Sequence, residues 1–176
     1  GGGWGIGTYR EKVSEMISHN LNLNVVAYEQ TDIGNDNGAV QYHLLDPQWN
    51  AHDGSHYTFP PIYAVGEPDK EAKPGYRDQY YPYYNLILDS YVIISKPGGG
   101  TLNDSIASGV PVVFLEPFGE HEAQNAKLWK DLGFGIDYDE WKKSGFSAER
   151  IDALRHNLIE AKKNLKTLDQ KYYETP

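Results

Sequence analysis

The sequence contains no cysteine, which excludes disulfide bonds and metal sites built from thiolate ligands. No apolar run approaches the roughly 20 residues that a membrane-spanning helix needs, and residues 1–20 lack the basic start and apolar core of a signal peptide. Basic residues are scarce: 16 lysines and arginines face 25 aspartates and glutamates, a formal net charge of −9. This balance disfavours nucleic acid or an anionic membrane as the main partner. We therefore expect a soluble, cytoplasmic protein without a transmembrane segment.

Runs of strand-forming residues alternate with helical patterns in the second half of the chain. Residues 91–95 and 110–117 are apolar and β-branched, and helical patterns cover residues 101–109 and 121–133, each ending at a glycine. A last helix is predicted to begin near Ser147. Its apolar stripe is Ile151, Leu154, Leu158, Leu165 and Leu168. The alternation predicts an α/β fold with a doubly wound, Rossmann-like parallel sheet.

The first half of the chain gives weaker signals. It opens with the glycine turn "GGGWGIG", followed by a helical pattern with Val13, Met16 and Ile17. Such a turn normally follows a buried strand, so we expect either that a preceding strand has been removed or that the chain is the downstream part of something larger. Residues 41–82 show no clear periodicity, which predicts long loops around one or two short strands. The length supports one domain with its own core, predicted over residues 1–176.

A second glycine turn, "SKPGGGTLND", follows the strand that ends near Ser95. The first N–H groups of a helix are unpaired and carry the positive end of the helix dipole, so a turn of this kind can bind an anion. Glycines allow a phosphate to approach the backbone, Thr101 offers a hydroxyl, and Asp104, one helical turn later, can accept hydrogen bonds from both hydroxyls of a ribose. The alternative is that the glycines merely permit a tight turn and Asp104 is a solvated helix residue.

The stretch "SKPGGGTLNDSIASGVPVVFLEPFGEHEAQNAKLWKDLGFG" resembles the C-terminal, donor-binding half of GT-B glycosyltransferases. It is most similar to the group that contains the peptidoglycan N-acetylglucosaminyltransferase, monogalactosyldiacylglycerol synthase and other UDP-glycosyltransferases. Two residues depart from the pattern of that group: Asp104 replaces the usual Glu, and His121 stands where Gln is common. The matching residues are Ser95, Lys96, Gly98, Thr101, Asp104, Gly109, Pro111, Glu122 and Asn125.

The resemblance implies a role for each part of this pattern. The ribose would bind Asp104, and the sugar hydroxyls would bind His121, Glu122 and Asn125. The nucleobase would lie between Tyr80 and Tyr81, although paired tyrosines in an irregular loop are more often simple packing. The diphosphate would be held by Gly98, Gly99, Gly100, Thr101 and Lys96, together with Gly3 and Gly5 at the mouth of the cleft.

The activity that the resemblance implies is transfer of a sugar from a nucleoside diphosphate donor, most simply a UDP-sugar, to an acceptor. The acceptor and the general base would be supplied by an N-terminal domain or a separate subunit, so the catalytic base is not assigned. His121 is the nearest local candidate for it. We expect no cofactor and no metal, because helix N–H groups can stabilise the leaving diphosphate.

Two other functions stay open at this point, and TDP or GDP could replace UDP. A nucleotide-sugar epimerase acting on UDP-GlcNAc would share the architecture, although the two signatures match transferases better. A non-catalytic, dehydrogenase-like dinucleotide-binding domain is suggested by "GGGWGIG", but its glycines at 1, 2, 3, 5 and 7 lack the G-x-G-x-x-G spacing. A P-loop is excluded, because no Gly-Lys-Ser/Thr ends either glycine turn.

Overall fold

The computed structural model describes residues 9–34, 38–46, 48–50, 52, 54, 57–66, 75–76 and 81–174. The chain divides after Asp89 into two compact units. Each unit has its own sheet and is described by itself. The prediction of one domain over residues 1–176 stays a prediction.

In its described residues, the first unit has two α-helices and five short strands. The strands β1, β2 and β4 form one sheet in that order, with β1 and β2 parallel and β4 antiparallel to β2. The strands β3 and β5 form an antiparallel pair. The elements are α1 (Tyr9–Ser18), β1 (Leu23–Ala27), a 3-10 turn (Gln30–Asp32), β2 (Val40–Leu45), β3 (Thr58–Phe59), β4 (Ile62–Ala64), β5 (Gly75–Tyr76) and α2 (Pro82–Leu88).

The segment expected to be mainly loop holds more strands than the sequence predicted. The strand β2 alternates regularly, with Val40, Tyr42 and Leu44 buried, and it pairs with β1 and β4. The strands β3, β4 and β5 are two or three residues long, too short to produce a readable period. Each of them pairs with a strand that is not adjacent in sequence, so no local pattern marks it. The predicted number of strands, one or two, was therefore too low.

The second unit is a regular α/β arrangement. Its three strands lie in the order β6–β7–β8, and both pairs are parallel. The elements are β6 (Ile93–Ser95), α3 (Gly99–Ser108), β7 (Val112–Phe114), α4 (Glu120–Asp131), β8 (Gly135–Asp137), α5 (Tyr138–Lys143) and α6 (Ala148–Glu174). The predicted alternation of strands and helices, with a parallel sheet, is confirmed here.

The helix ends follow the sequence signals. Gly109, with φ of 79°, adopts the left-handed conformation that ends α3, and Gly133 does the same after α4 with φ of 72°. The hydroxyl of Ser147 accepts a hydrogen bond from the backbone N–H of Arg150, so α6 begins where predicted. Ile151 and Leu158 of the predicted stripe are fully buried, whereas the side chains of Leu165 and Leu168 lie outside the described part.

A small apolar core fixes α3 and α4 against the sheet. Leu102 from α3 and Ala126 from α4 pack with Val112 and Phe114 of the central strand, β7. Next to this core, the fully buried hydroxyl of Ser105 donates a hydrogen bond to the carbonyl of Val110. The helices therefore hold a fixed position relative to the ends of β6 and β7.

Gly135 is the position in this core where a side chain has no room. A Cβ there would lie 2.5 Å from Cε2 of Phe114 and 3.0 Å from the carbonyl oxygen of Val112. We expect Gly135→Ala to lower the free energy of unfolding by about 1 to 3 kcal/mol, the usual cost of overpacking, as measured by urea denaturation. The control is Gly99→Ala, whose Cβ meets no described atom within 4 Å. Equal losses in the two variants would contradict this account.

Candidate functional site

The candidate site lies where β6 and β7 end and the helices that follow them begin. Because β6 and β7 are parallel, the first turns of α3 and α4 both lie at the carboxyl edge of the sheet. A direct contact joins the two regions: the side-chain amide of Asn125 on α4 donates a hydrogen bond of 2.9 Å to the carbonyl of Pro97, in the turn before α3. The sequence-predicted residues of both segments are thus brought together.

The first turn of α3 offers unpaired N–H groups. Gly98 is the residue before the helix, and no side-chain hydrogen bond caps the end. The first turn contains no acidic residue, and the first backbone bond of the helix runs from the N–H of Leu102 to the carbonyl of Gly98. The N–H groups of Gly99, Gly100 and Thr101 therefore remain available to an anion, as expected for a helix N-terminus.

The three glycines of this turn are not required by its backbone conformation. Gly98 is extended, with φ of −70° and ψ of 151°, and none of the three has positive φ. A Cβ on Gly99 or Gly100 would meet no described atom within 4 Å, and a Cβ on Gly98 would meet Oε1 of Glu122 at an ordinary 3.8 Å. The tight-turn explanation does not account for them, whereas a group that approaches the backbone from outside would.

Thr101 and Asp104 lie on consecutive turns of α3. The hydroxyl oxygen of Thr101 is 3.3 Å from that of Ser95, so the end of β6 and the start of α3 share a hydrogen bond. Asp104 is partly buried, and among the described residues none donates a hydrogen bond to its carboxylate. Burial raises the pKa of Asp104 above its ordinary value of 3.8. A carboxylate in this condition is suited to accept hydrogen bonds from a ligand.

Lys96 and Glu122 form a buried pair of opposite charge. Their side chains are 9% and 12% exposed, and Nζ lies 4.0 Å from Oε1. The backbone N–H of Phe118 donates a hydrogen bond of 2.5 Å to the other oxygen, Oε2, and the ring of Phe118 lies 5.4 Å from Nζ. The ammonium of Lys96 is therefore buried and is not that of a solvated turn lysine.

His121 and Asn125, the neighbours of Glu122 on α4, differ in their contacts. His121 is exposed at the start of α4, after Gly119, whose φ of 87° turns the chain sharply. Asn125 has its amide N–H₂ group engaged by Pro97, so it joins α4 to the glycine turn. The predicted sugar-binding roles of His121, Glu122 and Asn125 stay predictions.

The remaining predicted residues belong to the first half of the chain. Gly3, Gly5 and Tyr80 lie outside the described residues. Tyr81 stacks on Phe59 with ring centroids 4.8 Å apart, and burial, with smaller effects of Tyr28 and Tyr83, raises its pKa. One face of the Tyr81 ring is therefore used in packing, and its contact with a nucleobase stays a prediction.

Phe118 is a residue of this region that sequence reasoning missed. It is 71% exposed although it borders the Lys96–Glu122 pair. Its position between Pro117 and Gly119 was visible in the sequence, but nothing local shows which way the ring points. In the part of the chain that the structure describes, no group of three histidine or acidic side chains is placed to hold a metal, and no helix has the length and apolarity to cross a membrane.

Comparison with known proteins finds no matching family model. The processive diacylglycerol beta-glucosyltransferase of Bacillus subtilis (strain 168) is 36% identical over 102 residues, which cover 56% of this chain and 27% of that protein. The enzyme of the same description from Staphylococcus carnosus is 29% identical over 79 residues, covering 38% of this chain and 20% of that protein. The chain is homologous to bacterial glycosyltransferases. The matched segments therefore span between a fifth and about a quarter of the length of these relatives.

A solved structure agrees in fold. The glycotransferase of kitacinnamycin matches the whole of this chain and 42% of its own, with a TM-score of 0.50 and 15% sequence identity. The predicted resemblance to GT-B glycosyltransferases is confirmed, and so is the α/β, Rossmann-like fold class. The relatives are named as transferases, and the epimerase alternative is not favoured.

The raised pKa of Asp104 predicts a pH-dependent effect of Asp104→Asn on stability. Because burial raises the pKa of this acid, its protonated form stabilises the folded state relative to its ionised form. This contribution is fully present below about pH 3.8 and is lost as the pH rises through the raised pKa of the folded state. The ionised form therefore costs stability near neutral pH, and the variant removes that cost. We expect the variant to exceed wild type in free energy of unfolding at about pH 7, and the difference to shrink towards about pH 4, as measured by urea denaturation.

The matched control for this prediction is Asp139→Asn, which removes an exposed carboxylate from the first turn of α5. An acid at that position is favourable to the helix, so this variant should not gain stability. A gain for Asp104→Asn that is the same at both pH values would contradict the assignment to burial of the charge.

Proposed function

We propose that this chain binds the nucleoside diphosphate part of a sugar donor, most simply a UDP-sugar, at the turn between β6 and α3. In this proposal it is the donor-binding part of a glycosyltransferase. One observation carries the proposal: the N–H groups of Gly99, Gly100 and Thr101 have no side-chain cap, and a Cβ added to Gly99 or Gly100 would meet no described atom within 4 Å. Homology to glycosyltransferases supports the same ligand class.

The chemistry of transfer explains why the diphosphate would bind at a helix N-terminus. When the anomeric C–O bond of the donor breaks, its electron pair leaves with the β-phosphate, and positive charge develops on the sugar. Fixed N–H groups aimed at the phosphate stabilise that growing negative charge without rearranging. The ammonium of Lys96 adds positive charge in the same region, because it follows β6 directly and is buried beside Glu122.

The two carboxylates suit the hydroxyls of the donor. Asp104 has no hydrogen-bond donor among the described residues, and it lies one helical turn beyond Thr101 on α3. A ribose diol offers two O–H donors to such a carboxylate, which would offset the cost of burying its charge. Glu122 and His121, at the start of α4, would bind hydroxyls of the sugar, and Asn125 would hold the turn through its hydrogen bond to the carbonyl of Pro97.

The acceptor and the catalytic base belong to the rest of the enzyme in this proposal. The relatives are named as diacylglycerol beta-glucosyltransferases, so glucose is the sugar to test first. An N-terminal domain or a separate subunit would hold the acceptor and deprotonate it, with the chemistry taking place in the cytoplasm. TDP, GDP and NAD are the ligands that competing proposals would favour.

The decisive experiment is calorimetric titration of the purified chain with UDP, UDP-glucose, TDP, GDP and NAD. We expect UDP to bind, and Thr101→Ala and Asp104→Ala each to weaken it about tenfold or more, since hydrogen bonds to charged groups are worth about 1.5 to 3 kcal/mol. Thr101→Ser retains the hydroxyl and should recover most of the affinity. Gly100→Ala should weaken UDP through steric hindrance while leaving the fold unharmed or slightly more stable, because its φ is not positive.

The control for these variants is Asn103→Ala, an exposed change on the same helix between Thr101 and Asp104. It should leave UDP affinity unchanged. Binding of NAD alone, or no nucleotide binding by a folded chain, would refute the donor-site proposal.

A further inference from the structure

The burial of Lys96 requires an explanation beyond the positive charge that it supplies. An ammonium group loses hydration when it is buried, and this loss is offset only where a carboxylate and hydrogen-bond acceptors surround it. The carboxylate is present, because Glu122 lies nearby and is buried to a similar degree. The pair connects the end of β6 with the start of α4.

The pair is not a closed salt bridge. The distance of 4.0 Å between Nζ of Lys96 and Oε1 of Glu122 exceeds that of a hydrogen bond. Among the described residues no acceptor takes a hydrogen bond from this ammonium, and one side of it faces the ring of Phe118. An ion pair that served stability alone would be expected to close and satisfy its donors, whereas here both partners retain hydrogen-bonding capacity.

The two oxygens of Glu122 have different neighbours. Oε2 accepts the backbone N–H of Phe118 at 2.5 Å, and Oε1 lies 4.0 Å from the ammonium of Lys96. Oε1 also lies 3.8 Å from the position of a Cβ on Gly98, so it is next to the open glycine turn. Attraction by the ammonium on one side and the backbone bond on the other fix the rotation of the carboxylate.

We infer that Lys96 is a positioning residue for recognition of the donor sugar, acting through Glu122. It holds Oε1 at the glycine turn, where this oxygen accepts a hydrogen bond from a hydroxyl of the sugar attached to the diphosphate. The inference rests on the proposed function, since it needs a nucleotide sugar in that site. It gives Lys96 an effect on the sugar that is separate from any effect on the phosphates.

The comparison of UDP with UDP-glucose isolates this effect. Both ligands carry the same diphosphate, so a loss of charge near the phosphates changes their affinities alike, and the ratio of the two dissociation constants cancels it. A residue that orients Glu122 changes the ratio, because only UDP-glucose carries the sugar. We expect Lys96→Met to raise the dissociation constant of UDP-glucose about tenfold relative to that of UDP. This is the effect expected from the loss of one hydrogen bond to a charged group.

The double variant shows whether Lys96 acts through Glu122. Glu122→Gln alone should change the ratio by a similar factor, and Lys96→Met/Glu122→Gln should match Glu122→Gln, with no further loss. Calorimetry on wild type, both single variants and the double variant gives the four ratios. The control is Lys127→Met, which removes one positive charge from the exposed Lys127–Asp131 pair of α4, and its ratio should equal that of wild type.

Thermal unfolding checks that each variant is folded. If Lys96→Met leaves Glu122 as an uncompensated buried charge and does not fold, the double variant removes both charges, and its ratio must still equal that of Glu122→Gln. Equal losses for UDP and UDP-glucose in Lys96→Met, or factors that multiply in the double variant, would overturn the inference and leave the proposed function standing. A folded wild type that binds neither ligand would overturn both.

Discussion

The parallel pairing of β6, β7 and β8 is the constraint on which the candidate site depends. Strands that run in one direction place the helices that follow them at a common edge, so α3 and α4 begin side by side. The core around Val112 and Phe114 fixes both helices on the sheet. The hydrogen bond from Asn125 to Pro97 then joins the start of one helix to the turn before the other. Residues far apart in sequence become neighbours because of the strand order.

The parts of the structure that were predictable have local signals. The glycine turn, the left-handed Gly109 and the serine that begins α6 each act within a few residues, and each was read from the sequence. The short strands of the first unit depend on distant partners, so their residues carry no period of their own. The burial of Lys96 was also invisible, because the lysine follows a strand in the manner of an exposed turn residue. Its neighbour Glu122 is distant in sequence and comes close to it only in the tertiary fold.

In the second unit, uncapped N–H groups and carboxylates occupy different positions in the candidate site. The chain as a whole carries a net charge of −9, yet the first turn of α3 presents N–H groups and lacks an acidic residue. Asp104 lies one turn along α3, and Glu122 lies on α4. Hydroxyl groups would be better partners for these carboxylates than phosphate, because hydroxyls can donate hydrogen bonds to them. A ligand with an anionic middle and hydroxyl-bearing parts matches this distribution. On the proposed function, such a ligand would bind this acidic protein through local geometry and not through long-range attraction.

The uncapped start of α3 has a consequence for the thermodynamics of the whole unit. The protein leaves the first turn of this helix without a side-chain cap, so on the proposed function the bound phosphate completes it. Ligand occupancy and helix stability are then linked, and every factor of ten in donor concentration above the dissociation constant adds about 1.4 kcal/mol to the folded state. The second unit would be most resistant to unfolding in a cell that is rich in donor. Depletion of the sugar nucleotide would then lower the free energy of unfolding of this unit as well as remove the substrate.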